Sequence, residues 1–302
     1  MALRNLINQM KSNILQKMVA MTLLLTATFT SCEKMVLDDE DTQSQNTEAN
    51  LIMKATMFNI VPFDTRAEVN IADYCSRLCF VLYKDGNEVK RVVQVKGDEG
   101  FGQAAVTIDA GTYKVLVLAH SSKGGNPVLT NPAYLQFTNS IGYSDTFYYY
   151  GDLTVTSEQQ TREFTLQRAT SMLRITITDQ LPDELKRIRC NYEGESGVFD
   201  ATIGMGGTTN SKQQVSYNVE GYTAPLTLRL YTFLRNETGT LKLTMTAHNA
   251  SEEVIAEKVI TDIPMKNHMV TELSGRFFDS SSSNAFTFKA DTTWTVYQQL
   301  TF

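Results

Sequence analysis

The stretch LCFVLYKDGNEVKRVVQV, Leu78 to Val95, carries the fold assignment. A continuous run of β-branched, aromatic and aliphatic residues stops at Asp85-Gly86-Asn87, and a second run rich in Val follows at once. Two such runs around a tight turn signal predict a β-hairpin. The same style continues along the chain. AAVTIDAGTYKVLVLAH (104–120) gives two strands around Asp109-Ala110-Gly111, and YYYGDLTV (148–155) and TREFTLQ (161–167) extend the pattern. The second half repeats it with MLRITITD (172–179), RLYTFL (229–234), LKLTMTAHN (241–249) and VIAEKVI (254–260). Only LPDELKRI (181–188) reads as a short helix, with Pro182 suited to a first turn. Many short strands split by turn signals predict an all-β protein of the sandwich type.

Tyr113 opens a strand directly after a Gly corner. This placement is similar to the tyrosine corner of β-sandwiches, whose hydroxyl bonds back to upstream backbone. The break near Gln167-Arg168 separates two strand-rich segments, and the usual domain size of roughly 100–200 residues favours two domains, 50–167 and 168–279.

The N-terminus has a different character. Arg4, Lys11 and Lys17 stand without an acid, the mostly apolar Met18 to Phe29 follows, and small Thr30 and Ser31 precede Cys32. That order is the layout of an export signal, expected over residues 1–31. Its apolar core spans 12 positions, short of the roughly 20 that a helix needs to cross a bilayer. Cys32 after small residues resembles a bacterial lipobox and would carry the lipid; Phe29 stands where the usual motif has Leu. An ordinary signal with an incidental cysteine is the alternative, and Met10 or Met18 could serve as the start. The acidic Asp38-Asp39-Glu40-Asp41 and the polar TQSQNTEAN (42–50) hold too little apolar content to fold, so 32–49 read as a tether.

Charge excludes one class of partner. The chain has 27 basic and 33 acidic side chains, and without residues 1–31 the balance is 24 to 33, a net charge near −9. Such a surface repels phosphate backbones, so nucleic acid is not an expected partner.

Cysteine usage excludes a disulfide framework. Cys75, Cys79 and Cys190 are an odd set once Cys32 is lipidated. On a strand, Cys75 and Cys79 would share a face about 13 Å apart, beyond disulfide reach. They read as small buried apolar residues, and a metal pair lacks a His or third Cys at ligand spacing. His120, His248 and His268 stand in separate contexts with no nucleophile motif beside them, and GMGG (204–207) lacks a phosphate-loop frame. No catalytic residue, cofactor or metal is expected.

After Ser280-Ser281-Ser282-Ser283-Asn284 the even positions run Phe286, Phe288, Ala290, Thr292, Trp294, Val296, Gln298, Leu300 and Phe302, and seven of these nine are apolar. The two-residue period puts one face of a strand against a hydrophobic surface. This strand either closes its own sandwich or is donated to another molecule by strand addition.

Taken in order, Cys32, Thr65-Arg66-Ala67, YCSRLCFVLYKDG (74–86), AGTYKVLVLAHS (110–121), GNPVL (125–129), DTFYYYGDLTV (145–155) and LQRATSMLRITITD (166–179) resemble the fimbrillin superfamily of Bacteroides-type bacteria, especially its FimB-type fimbrial anchor and subunit lipoproteins. The resemblance implies two tandem transthyretin-like Greek-key sandwiches and a place in an outer-membrane fimbrium, with other fimbrial subunits as partners. It further implies that stalk subunits lose an N-terminal strand to an arginine-specific protease. Here the cut would fall at Arg66-Ala67, the lost strand would be LIMKATMFNIV (51–61), and a neighbour's terminal strand would fill the groove. Anchor proteins of the family keep their lipid and stay uncut. A glycan-binding lipoprotein is the other reading, with Phe147-Tyr148-Tyr149-Tyr150 and Trp294 as sugar platforms; strand alternation would bury about half of those rings.

Overall fold

In a computed structural model of the protein, residues 49–57, 70–138, 143–207, 212–279, 286–287 and 296–298 are described. They belong to one compact unit, residues 47–302. The described chain is all-β, as its patterning predicts, with one 3-10 turn at Ile71–Asp73.

The first half contains β1 (Leu51–Met57), β2 (Arg77–Lys84), β3 (Asn87–Val95), β4 (Gln103–Val106), β5 (Gly111–His120), β6 (Leu135–Gln136), β7 (Thr146–Val155) and β8 (Gln160–Arg168). Seven of these form one sheet in the order β3-β2-β5-β7-β8-β1-β4. β7 meets β8 only at Phe147↔Arg168 and Tyr148↔Gln167, so the sheet folds over at that seam. The two leaves face each other. Leu78, Phe80, Leu82, Val115 and Val117 from one pack against Leu51, Met53, Phe164 and Leu166 from the other.

The expected hairpin is β2–β3, turned by Asp85 (φ 51°) and Gly86 (φ 80°). Two successive left-handed residues match the right-handed twist of the flanking strands, and Asp tolerates that region better than most side chains. β4 and β5 are both strands but do not pair, because β4 lies on β1 and β5 lies between β2 and β7. The chain changes leaf between them, and the Tyr113 hydroxyl donates to the Asp109 carbonyl at 2.8 Å across that corner, as expected.

The second half contains β9 (Ser171–Ile177), β10 (Arg187–Glu193), β11 (Val198–Asp200), β12 (Met205–Gly206), β13 (Gln213–Asn218), β14 (Leu226–Thr232), β15 (Thr238–His248), β16 (Val254–Lys266) and β17 (Val270–Gly275), with the short β18 (Phe286–Thr287) and β19 (Val296–Gln298) after it. Sheet β13-β10-β15-β16 faces sheet β14-β9-β17. Ile188, Cys190, Leu243 and Met245 meet Leu173, Ile175, Leu228 and Leu273 between them. The helix expected at 181–188 does not form. One turn closes with the Leu185 amide donating to the Pro182 carbonyl, and from Arg187 the chain pairs with both β13 and β15. Two ladders and a fully buried Ile188 outweigh local propensity.

A third layer joins the halves. β6 pairs with β11, which pairs with β12. Behind it, Phe199, Phe233 and Leu135 cover Cys79, Val81, Tyr83, Leu116 and Leu118, the outward residues of β2 and β5. Both faces of β2 are thus buried, which is why LCFVLY is continuously apolar rather than alternating. Cys75 precedes β2 instead of sharing a strand face with Cys79, and the two thiols sit in different clusters. Cys75, Cys79 and Cys190 are free and buried, and desolvation pushes each thiol up to about 12.

One polar node staples the link between β8 and β9. Arg168 grips Asp145 through two hydrogen bonds of 2.9 Å, Thr170 donates to the same carboxylate at 3.0 Å, and the guanidinium lies 4.9 Å from the Phe147 ring centroid. Both charged side chains are mostly shielded. Asp145→Ala is therefore expected to cost about 2 kcal/mol, because it removes two charge-assisted hydrogen bonds from a mostly shielded guanidinium; urea denaturation measures it.

Candidate strand-exchange interface

β1 is inserted between two strands that it joins nowhere in sequence. It runs parallel to β8 from Leu51↔Gln160 to Met57↔Leu166, and antiparallel to β4 from Leu51↔Val106 to Lys54↔Gln103. Its alternation turns Leu51 and Met53 inward, where both are fully buried, and leaves Thr56 exposed. Parallel insertion of an N-terminal strand leaves β1 without a hairpin to either neighbour, so pairing and packing fix its place in the sheet.

Asn50 fixes the register. Its side-chain amide donates to the carbonyls of Ile108 (2.8 Å) and Thr156 (3.0 Å), and its carbonyl oxygen accepts from the Ile108 amide at 2.9 Å. The Asn50 backbone carbonyl accepts from Gln160 at 2.9 Å. Sequence reading placed Asn50 at the edge of the tether and missed it, since an Asn in a polar run carries no local signal of such a pin. Thr56 adds a hydrogen bond to the Phe164 carbonyl at 3.3 Å.

The sequence-predicted lipidation residue Cys32 and the candidate cleavage pair Arg66-Ala67 lie outside the described residues. Arg66-Ala67 follows β1 in the chain and precedes every other strand among the described residues. A cut there would separate β1 covalently from the body.

At the other end, β17 pairs in parallel with β9 over Val270↔Met172 to Gly275↔Ile177. Its opposite edge carries both terminal strands, β18 antiparallel at Gly275↔Phe286 and Ser274↔Thr287, and β19 parallel at Val270↔Val296 and Thr271↔Gln298. Phe286 and Val296 of the predicted donor face therefore stand on strands of the same chain. Phe288, Trp294, Leu300 and Phe302 lie outside the described residues. The exit from β17 is clamped by Asp179, whose carboxylate accepts from the amides of Phe277 (2.8 Å), Phe278 (2.6 Å) and Asp279 (3.0 Å).

The remaining candidates do not converge. His120 is fully buried; the Ser122 amide donates to Nδ1 at 3.2 Å, which leaves the Nε2 hydrogen for Asn126 Oδ1 at 3.1 Å. Burial holds its imidazole down at about 4, against the Asn126 bond, which raises it. Its folded value lies below the unfolded one, so it adds stability above pH 6.5 that is lost as pH falls through 4. Relative to a His120→Gln variant, the wild type should lose about 3 kcal/mol of urea-measured stability between pH 7 and pH 4. His248 bonds Thr246 and the Glu252 carbonyl within its own turn. Among the described residues, no three His, Cys, Asp or Glu side chains are grouped to hold a metal, and no helix is long and apolar enough to cross a membrane. Of the aromatic run, Phe147 and Tyr148 are core residues, whereas Tyr149 and Tyr150 are half-buried.

Comparison with solved structures gives distant likenesses. A candidate polysaccharide-binding protein from Bacteroides thetaiotaomicron VPI-5482 is 13% identical, with 83% of this chain and 99% of that one covered and a TM-score of 0.47. A candidate adhesin from Bacteroides ovatus ATCC 8483 is 12% identical over 74% and 88% (TM-score 0.46), and the fimbrial anchor protein Mfa2 from Porphyromonas gingivalis is 13% identical over 75% and 90% (TM-score 0.40). No curated protein matches the chain. A model of a family of unknown function, DUF6562, matches residues 41–296, and the chain belongs to that family.

Proposed function

We propose that this protein is a non-enzymatic, lipid-anchored structural component of a surface fimbria, held to the outer membrane through Cys32 and joined to neighbouring subunits by β-strand exchange. The observation that carries the reading is β1: an N-terminal strand, parallel to β8, filling a slot between β8 and β4 with two wholly buried side chains. A strand so placed can be withdrawn without unthreading any other element. What remains is a groove with unpaired ladder groups on both sides and an apolar floor, which a second strand of alternating pattern fits. The alternating segment 286–302 supplies such a pattern, and the serine-rich 280–284 ahead of it supplies reach. The sequence resemblance to fimbrillin-type lipoproteins supports the same assignment.

The test is the intact mass and N-terminal state of protein extracted from outer membranes. A chain starting at acylated Cys32 identifies a permanent anchor at the fibre base, and one starting at Ala67 identifies a processed subunit. A chain with an unmodified Cys32 and an uncut Arg66-Ala67 bond, found in soluble fractions, would sink the proposal.

A further inference from the structure

A cleft of about 280 Å3 opens where the β2–β3 turn, the start of β5, the middle of β7 and the loop before β6 come together. Its base is aromatic, formed by Tyr83, Tyr113 and Tyr150. Two of these hydroxyls are committed to structure, Tyr83 to the Leu129 carbonyl and Tyr113 to the Asp109 carbonyl. The wall is braced as well, since the Ala201 amide donates to the Pro132 carbonyl at 2.9 Å and Asn131 Oδ1 accepts from the Ala133 amide at 3.0 Å.

The mouth differs from the wall. Among the described residues, the Tyr150 hydroxyl, the Asp85 carboxylate and the Asn131 side-chain NH2 have no hydrogen-bond or ion-pair partner, and Asp85 and Asn131 are exposed. Asp152 holds Lys114 at 2.7 Å, which draws that ammonium toward the rim, 5.9 Å from the Tyr150 centroid.

We infer that this cleft is a binding site for a neutral saccharide. A sugar ring presents an apolar C–H face, which packs on an aromatic ring, and a girdle of hydroxyls, which a carboxylate, a carboxamide and a phenol can pair. Tyr150, Asp85 and Asn131 supply those groups around one opening. Asp85 and Asp152 are matched by Lys114 and by Lys84, whose ammonium lies 5.5 Å from the Tyr113 centroid, so the site has no net attraction for an acidic sugar. The volume is at the small end of ligand pockets and suits one or two rings of a longer chain. The site is separate from the β1 slot and stands or falls independently of fibre assembly.

The experiment is saturation-transfer NMR on the chain starting at Ala49, with maltotetraose, cellotetraose, mannotetraose and chitotetraose as neutral probes and a hyaluronan tetrasaccharide as the acidic one. At least one neutral probe should bind with Kd of about 1 mM or tighter, and Asn131→Ala should weaken it roughly fivefold and Tyr150→Ala roughly tenfold. Lys242→Ala, in the separate cleft beside Glu193, should leave binding unchanged. Because Tyr150→Ala also removes packing, the exposed Asn131→Ala and Asp85→Ala variants decide the matter. Absence of neutral-probe binding, binding of hyaluronan alone, or wild-type affinity in both exposed variants would overturn the inference.

Discussion

A protein lacking residues 1–66 is expected to melt about 10–20 °C below the chain that starts at Ala49, and to regain most of that loss when a peptide of residues 49–57 is added. Withdrawing β1 exposes the pockets of Leu51 and Met53, each worth about 1.5–3 kcal/mol of burial. Near the midpoint, each kcal/mol corresponds to roughly 2–4 °C for a domain of this size. Further loss comes from the two ladders and from Asn50, whose three side-chain hydrogen bonds would vanish with it. Peptides carrying Leu51→Asp or Asn50→Ala should restore much less, the first because a carboxylate cannot enter the apolar floor unpaired and the second because register is no longer fixed. Thermal denaturation with and without peptide reads all of these. An unchanged melting point in the shortened protein would mean that β1 contributes nothing to the core, and the strand-exchange proposal would go with it.

The parts of this architecture legible in sequence are those fixed by local chemistry. The Asp85-Gly86 turn, the Tyr113 corner and the alternation of β7 to β9 are all written within a few residues. What was hidden depends on distant partners. That β4 pairs with β1 rather than β5 follows from a leaf crossing which 104–120 does not announce. The 181–188 segment has a helix-like composition, and only the ladders that β13 and β15 offer to Arg187–Glu193 decide against it. The third layer was invisible because β6 and β12 are two residues long each and β11 three. Its presence is nonetheless recorded in the unbroken apolar runs of β2 and β5, which a single-faced strand would not need. The saccharide cleft illustrates the same limit: of the aromatic run 147–150, sequence position could not say that Tyr150 is the ring at the opening.

Asp179→Ala is expected to lower stability by about 3–5 kcal/mol and to speed proteolysis after residue 276. The carboxylate accepts three consecutive amides, those of Phe277, Phe278 and Asp279, and is itself buried. Removing it leaves three donors with little access to water, and each such orphan costs about 1–3 kcal/mol. Asp179→Asn should be milder, since one acceptor oxygen survives. The position matters beyond stability. Phe277 belongs to the core between the two sheets of the second half, and immediately past it the chain runs into 280–284 and then the terminal strands. Asp179 thus divides a segment that must stay with the body from one whose pairing with β17 is short, two ladder positions in β18 and two in β19. Releasing the clamp would let the body's own last strand peel from its edge. Hydrogen exchange resolves the two effects: amides 277–279 should exchange faster in Asp179→Ala, while those of β1, held by Asn50 in the first half, should keep their wild-type protection relative to global stability. Equal protection at 277–279 in both proteins would show that the clamp is redundant with the packing of Phe277.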